Sequence, residues 1–287
     1  MQSLLFAWFL SVSAFPSSVF TGDTISPPES FSLPKLSPVP EKILVKEEQK
    51  KIDAKSVLII DKDTLFPVYE YESTKKLPIA SLAKLMTALL VLENTSLFER
   101  VSLSSQAVQA EGSKAYFLKN EQFFVKDMLA FLIIRSANDS ALALSEHIAS
   151  SEANFVDMMN TRAKELGLKN TVFKNASGLD HEDSFSTASD VALLFLKLWE
   201  YPLFRELSSL SSYEGESLQG RKVRVRNTNQ FLKEGVLGGK TGTTSLAKQC
   251  LSLAIQKGSH TFFVIILGSD ERYADAEMLF HLIQGNS

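Results

Sequence analysis

The chain has 287 residues, with 30 basic and 33 acidic side chains and a formal charge of −3. That balance is too weak, and of the wrong sign, for a phosphate-neutralising surface, which argues against nucleic-acid binding. With 45% apolar and 22% charged residues the composition is that of an ordinary globular protein, and the single cysteine, Cys250, excludes an intrachain disulfide and a cysteine-built zinc or iron–sulfur site.

Residues 4–10, Leu-Leu-Phe-Ala-Trp-Phe-Leu, form a short apolar run followed by the small residues Val12-Ser13-Ala14. Residues 1–20 therefore read as a signal peptide or N-terminal anchor, although the first basic residue is Lys35. Pro27, Pro28, Pro34, Pro38 and Pro40 sit among Ser, Thr and Glu, so residues 21–51 read as a Pro-rich linker. The folded domain is expected over 52–287. There, Ser56–Ile60 and Phe66–Tyr71 flank a polar turn and predict a strand hairpin. Leu82–Leu92 is apolar on nearly every face, which predicts a helix buried on most sides. Val125–Ile134 and Ser140–Ala149 predict two further helices, and Phe155–Leu166 a third that stops at Gly167. Thr187-Ala-Ser-Asp190 is a capping-box pattern opening a helix through Trp199. Cys250–Ile255 and Thr261–Leu267 bracket a short turn and predict a second hairpin, and Ala274–Ile283 a closing helix. Strands at both ends with helices between them imply an α+β fold, an antiparallel sheet flanked by helices with a mostly helical second lobe. The histidines, His147, His181, His260 and His281, lack metal-ligand spacing, so neither a metal nor another cofactor is expected.

Three short motifs carry chemistry. Ser81-Leu-Ala-Lys84 places a hydroxyl and an amine on one face of a helix start, close enough for the amine to take the hydroxyl proton. S-x-x-K occurs four times in the chain, and only Ser81 opens a buried helix. Ser81 could equally be a plain N-cap, but Lys84 in that first turn, with no carboxylate, opposes the helix dipole. The same dipole, with burial, favours the neutral lysine that a general base requires. Ser136-Ala-Asn138 is the only S-x-N, 55 residues after Ser81, in the break between two apolar helices. It reads either as a polar turn capped by Asp139 or Ser140, or as a hydroxyl relaying a proton beside an amide that holds substrate or base. Lys240-Thr241-Gly242, the only K-T-G, lies 104 residues after Ser136 and directly before the C-terminal hairpin. Alone it reads as a Gly-rich turn with a solvated lysine. Its glycines would also let a substrate peptide lie along the strand edge. All three in order, each in a fitting context, make coincidence remote.

In this order the motifs resemble those of the penicillin-recognising serine enzymes. The wider match is to the low-molecular-mass penicillin-binding proteins, the D-alanyl-D-alanine carboxypeptidase family of serine DD-peptidases. It extends through Pro78–Ala88, Asn175-Ala-Ser-Gly-Leu179, Ser186-Thr-Ala188, Asn227-Thr-Asn229 and Arg272-Tyr-Ala-Asp-Ala276. The resemblance implies a β-lactamase/DD-peptidase-like fold and an acyl-enzyme mechanism in the bacterial cell envelope. Its substrates would be peptidoglycan stem peptides, and β-lactams its covalent inhibitors. Membrane contact would run only through an uncleaved N-terminal segment. It further implies Ser81 as nucleophile, Lys84 as its base and Ser136 as proton donor to the leaving amine. Asn138 would position substrate, and backbone N–H groups of Ser81 and Thr243 would form the oxyanion hole. Lys240 would hold Ser136 and keep Lys84 neutral, while Thr241, Gly242 and Arg272 would bind the end carrying the terminal carboxylate. Arg272 could instead pair with Asp275.

Two departures stand out. Lys248 occupies the rim where the family often has Gly, and the chain ends 45 residues after Gly242, like the short endopeptidase branch that cuts crosslinks. A β-lactamase would carry Asp where this chain has Ala137, and would need a deacylating carboxylate for which Glu165, read here as an exposed helix residue, is the nearest candidate. A non-catalytic penicillin-binding scaffold is the remaining alternative.

Overall fold

A computed structural model describes residues 52–285, and the expected signal segment (1–20) and linker (21–51) lie outside the described residues. Its frame is a five-stranded antiparallel sheet in the order β2-β1-β9-β8-β7, built from β1 (Ser56–Asp61), β2 (Pro67–Tyr71), β7 (Val236–Thr244), β8 (Lys248–Lys257) and β9 (His260–Ser269). The first strand pairs with the last, Ile59 opposite Val264, so the two ends of the domain close one sheet as expected from the sequence. β1 is buried along its whole length because both faces of the sheet are covered, and this is why Val57-Leu-Ile-Ile60 reads as a continuous apolar run rather than an alternation. Leu58, Ile60, Phe263 and Ile265 face the helical lobe, while Val57, Ile59, Val264 and Ile266 face the final helix, α8 (Arg272–Gln284).

The helical lobe contains α1 (Lys84–Asn94), α3 (Val125–Ile134), α4 (Asn138–Ala149), α5 (Glu152–Glu165) and α6 (Ala188–Trp199), with the shorter α2 (Ser105–Val108) and α7 (Pro202–Ser209). Every residue of α1 from Lys84 to Val91 is buried, which fits its all-round apolar sequence. α6 starts as its capping box requires, with Thr187 Oγ1 accepting the Asp190 N–H at 3.0 Å. α5 ends at Gly167, whose φ of +74° and whose N–H, donated to Lys164 O, close the helix. Phe195 and Trp199 of α6 meet Phe263 of β9 with ring centroids 4.9 and 5.7 Å apart, locking lobe to sheet.

Two small antiparallel pairs were not anticipated: β3 (Arg100–Ser102) with β4 (Gln122–Phe124), and β5 (Ser212–Glu216) with β6 (Lys222–Arg226). Lys-Val-Arg-Val-Arg in β6 has the period of a strand, but Ser-Tyr-Glu-Gly-Glu opposite it has little strand propensity. Contacts between partners distant in sequence decide such short strands. Glu165 is exposed and pairs with Arg162 at 2.9 Å on the outer face of α5, so it takes no part in the site.

Asp275 of α8 is buried and ties the start of the domain to its end. It accepts N–H bonds from Asp53 and Ala54 at 2.9 and 3.1 Å and a hydroxyl bond from Ser269 at 2.6 Å. Replacing Asp275 by Ala leaves these donors without an acceptor, for which a loss of about 3 kcal/mol is expected. Denaturant unfolding of the Asp275→Ala protein checks this; a loss below about 1 kcal/mol would show that water or neighbouring groups replace the carboxylate.

Candidate active site

Ser81 is not the N-cap of an α-helix. It lies inside a 3-10 turn, Ala80–Ala83, that leads into α1, and its side chain caps nothing. At three residues per turn, positions i and i+3 stand one above the other, so Lys84 Nζ reaches Ser81 Oγ at 2.9 Å. Ala80, just before the serine, has a φ of +48°, a conformation that costs a non-glycine residue energy and that the packing around it must hold. Ser81 is half-exposed, whereas Lys84 is 1% exposed.

Lys84 Nζ has two further partners, Asn138 Oδ1 at 2.6 Å and the Ser177 carbonyl at 2.5 Å. Both can only accept. A neutral amine has two N–H donors and one lone pair, so satisfying these two carbonyls turns the lone pair towards the Ser81 hydroxyl. The amide of Asn138 is oriented by its other end, Nδ2, which donates to Glu111 O at 2.6 Å. Burial lowers the Lys84 pKa from its ordinary 10.5 to about 7, with the Asp139 carboxylate acting in the opposite sense.

The S-x-N turn joins α3 to α4. Ser136 has a φ of +59°, and α4 starts at Asn138, two residues earlier than expected, with Ala137 at its cap and no side-chain cap bond. Asp139 is occupied elsewhere: it accepts backbone N–H bonds from Ala115 and Tyr116 at about 3 Å and so clamps the 111–117 loop to the turn. The Asn138 N–H adds a bond to Ser113 O at 2.7 Å.

The third motif lies within β7, an edge of the sheet. Gly242 stands beside Ser81, where an added Cβ would be 2.9 Å from the Ser81 backbone nitrogen; only glycine lets the two backbones come this close. Thr243, next along the edge, is exposed at the site. Lys240 Nζ donates to Ser136 Oγ at 2.7 Å and to Thr241 O at 2.8 Å. Its pKa is pushed well below the lysine range by burial and then by the charges of Lys84 and Arg272. Burial is the leading cause for both amines, and the repulsion between them, which was expected to keep Lys84 neutral, disfavours two charges side by side. Thr241 Oγ1 donates to Thr228 Oγ1 at 2.6 Å, which brings the Asn227-Thr-Asn229 segment to the site. Arg272 Nη1 donates to Gly242 O at 2.7 Å and Cys250 O at 3.1 Å, spanning β7 and β8. Its Nε is buried without a partner among the described residues. The alternative pairing with Asp275 is not formed, because that carboxylate is held by Asp53, Ala54 and Ser269. Lys248 bonds Asp270 at 2.6 Å. Cys250 is core, its thiol pushed up to about 11 by burial.

Hydrogen bonds and close backbone approaches thus bring Ser81, Lys84, Ser136, Asn138, Lys240, Thr241, Gly242, Thr243 and Arg272 together at one site. What the sequence reading missed are backbone groups. The Ser177 carbonyl that orients Lys84 is fixed by a turn in which Asn175 Oδ1 accepts from the N–H groups of Gly178 and Leu179 at 2.6 and 3.0 Å. Gly178 has a φ of +78°, and a Cβ there would lie 2.0 Å from Ala80 O. The Asn-Ala-Ser-Gly-Leu pattern was visible, but a carbonyl's role leaves no side-chain signature. No group of His, Cys, Asp and Glu able to hold a metal occurs among the described residues.

Comparison with known proteins agrees with this geometry. The D-alanyl-D-alanine carboxypeptidase family, peptidase family S11, matches residues 43–271. The D-alanyl-D-alanine carboxypeptidase DacF of Bacillus subtilis (strain 168) is 36% identical over 225 residues, covering 76% of this chain and 58% of that protein. The chain thus spans less than two thirds of that relative's length. A D-alanyl-D-alanine endopeptidase of Escherichia coli (strain K12) is 29% identical, over 80% of this chain and 77% of its own. The crystal structure of the Streptomyces K15 DD-transpeptidase superposes with a TM-score of 0.76 at 26% identity, covering 82% of this chain and 97% of that one. By its fold, its three motifs and the extent of the match, the chain belongs to the D-alanyl-D-alanine carboxypeptidase family, the low-molecular-mass penicillin-binding proteins.

Proposed function

We propose that this protein is an exported serine DD-peptidase that removes the terminal D-Ala from peptidoglycan stem peptides through an acyl-enzyme. The observation that carries the reading is the buried Lys84 amine, held by two carbonyls and facing the Ser81 hydroxyl at 2.9 Å. Neutral Lys84 takes the Ser81 proton as Oγ bonds to the carbonyl carbon of the penultimate D-Ala. The resulting oxyanion is received by the backbone N–H groups of Ser81 and Thr243. Ser136, held by Lys240, gives its proton to the leaving nitrogen and takes the one on Lys84, so that Lys84 is neutral again when the C–N bond breaks and D-Ala departs. Water then attacks the ester carbonyl, losing a proton to neutral Lys84, which returns it to Ser81 Oγ as the C–O bond breaks and the shortened stem leaves. Thr241 and Arg272, at the Gly242 end, take the substrate's terminal carboxylate. A β-lactam presents the same end and acylates Ser81.

A second reading, endopeptidase cleavage of crosslinks, is supported by the E. coli endopeptidase matched over 77% of its length. Mass spectrometry separates the two, using a linear pentapeptide ending D-Ala-D-Ala and a crosslinked muropeptide dimer. Loss of one D-Ala from the pentapeptide, absent in Ser81→Ala, is the expected result. Cleavage of the dimer alone would make it an endopeptidase, and cleavage of neither would leave a binding scaffold.

The Lys84 pKa of about 7 gives a pH test. Acylation needs the neutral amine, so the penicillin acylation rate constant should rise with pH, reach half its plateau near that value and fall about tenfold per pH unit well below it. A profile that instead keeps climbing towards an ordinary lysine pKa would remove Lys84 from the role of base. Lys240→Ala leaves Ser136 without its partner, and acylation is expected to fall by about 10²–10⁴-fold with the fold retained. Stopped-flow acylation and circular dichroism measure the two.

A further inference from the structure

The cleft has two ends. Thr241 and Arg272 lie at one, with Gly242 beside Ser81, and β7 then runs through Thr243 and Thr244 into the turn 245–247. With the terminal carboxylate at the first end, the acyl part of a stem peptide must leave along the second. An extended peptide advances about 3.3 Å per residue, so pairing along β7 brings the residue before D-Ala-D-Ala opposite Thr244 to Leu246.

A wall of mixed character stands there. Leu246, in the turn after β7, is 55% exposed and Leu179, in the lobe's 175–180 turn, is 36% exposed. Between them Asp180 Oδ2 accepts the Leu246 N–H at 3.0 Å, tying the lobe's 175–180 turn to the sheet's β7–β8 turn. The other oxygen of this exposed carboxylate has no partner among the described residues. The 111–117 loop completes the wall through Gly112, where an added Cβ would stand 3.7 Å from Leu179 Cδ2. Exposed Glu111, in the 111–117 loop, and Glu182, two residues past Asp180, add negative charge. The nearby cations are directed elsewhere, Lys248 to Asp270 and Lys114 over the Tyr116 ring.

We propose that Leu179, Asp180 and Leu246 form the subsite for the side chain of the stem's third residue, and that they favour stems whose third-residue amine is free. That residue is a diamino acid in peptidoglycan, a run of methylenes ending in an ammonium. The two leucines take the methylenes, and the uncommitted oxygen of Asp180 takes the ammonium. An acylated amine, as in a stem already crosslinked through that position, loses the charge contact. The proposal rests on the peptidase reading given above and names the substrate form it prefers.

The test uses the full chain and two pentapeptides ending D-Ala-D-Ala, one with a free lysine amine at the third position and one with that amine acetylated. The wild-type protein is expected to cut the free form with a kcat/KM about fivefold higher. Asp180→Asn keeps an oxygen for the Leu246 N–H but removes the charge; it should abolish the preference while leaving the acetylated peptide and penicillin acylation unchanged. Leu246→Ser should lower cleavage of both peptides about threefold and spare penicillin acylation. Equal cleavage of the two peptides by the wild type, or an equal loss on both in Asp180→Asn, would overturn the subsite. If neither peptide is cut although penicillin acylates Ser81, the peptidase reading fails and the subsite falls with it.

Discussion

The site depends on taking one lysine amine out of water. Lys84 is fully buried at the start of α1, and the cost of desolvating an ammonium there outweighs what its three acceptors and the Asp139 carboxylate return. Neutralising the group near pH 7 relieves that cost, and a neutral amine is what the proposed reaction needs as its base. Its three partners come from three segments far apart in the chain: the 3-10 turn at Ser81, the start of α4 at Asn138, and the 175–179 turn at Ser177. Each must be rigid, because a shift of one partner would turn the lone pair away from the hydroxyl.

Rigidity is supplied by uncommon backbone geometry held by ordinary packing. Ala80 and Ser136 both adopt positive φ, the first directly before Ser81 and the second within the S-x-N turn. Residues in such conformations persist only where the surroundings over-determine them. Here the carbonyl of Ala80 abuts Gly178, and the turn at Ser136 is bound to the 111–117 loop through Asp139 and Asn138. The second lysine follows the same logic: Lys240 is buried on β7 with its amine on Ser136, so the Ser136 hydroxyl and the strand edge are held together.

Much of this was legible in the sequence. Helices with strong periodicity or clear caps, such as α5 ending at Gly167 and α6 opening at Thr187, fell where their signals placed them, because those signals act within a few residues. The closure of the sheet by β1 and β9 followed from apolar runs at the two ends of the domain. The strands β3 to β6 were not legible, since three to five residues carry too little pattern to overcome local ambiguity. The 3-10 turn at Ser81 escaped for a related reason: a turn and a helix start share one sequence, and packing against β7 decides between them.

The sequence by itself determined the chemical inventory, a hydroxyl three residues from a lysine, an S-x-N and a K-T-G in fixed order, and with it the family. Side-chain identity is local, so these groups could be named from the chain alone. Only the tertiary structure decided their states and partners. Burial is the first cause of the lowered Lys84 pKa, and desolvation depends on everything packed around the amine. Arg272 turned to Gly242 and Cys250 instead of Asp275, because Asp275 is taken up by residues from the far end of the domain. Such outcomes are set by contacts between segments as much as two hundred residues apart, and no local pattern records them.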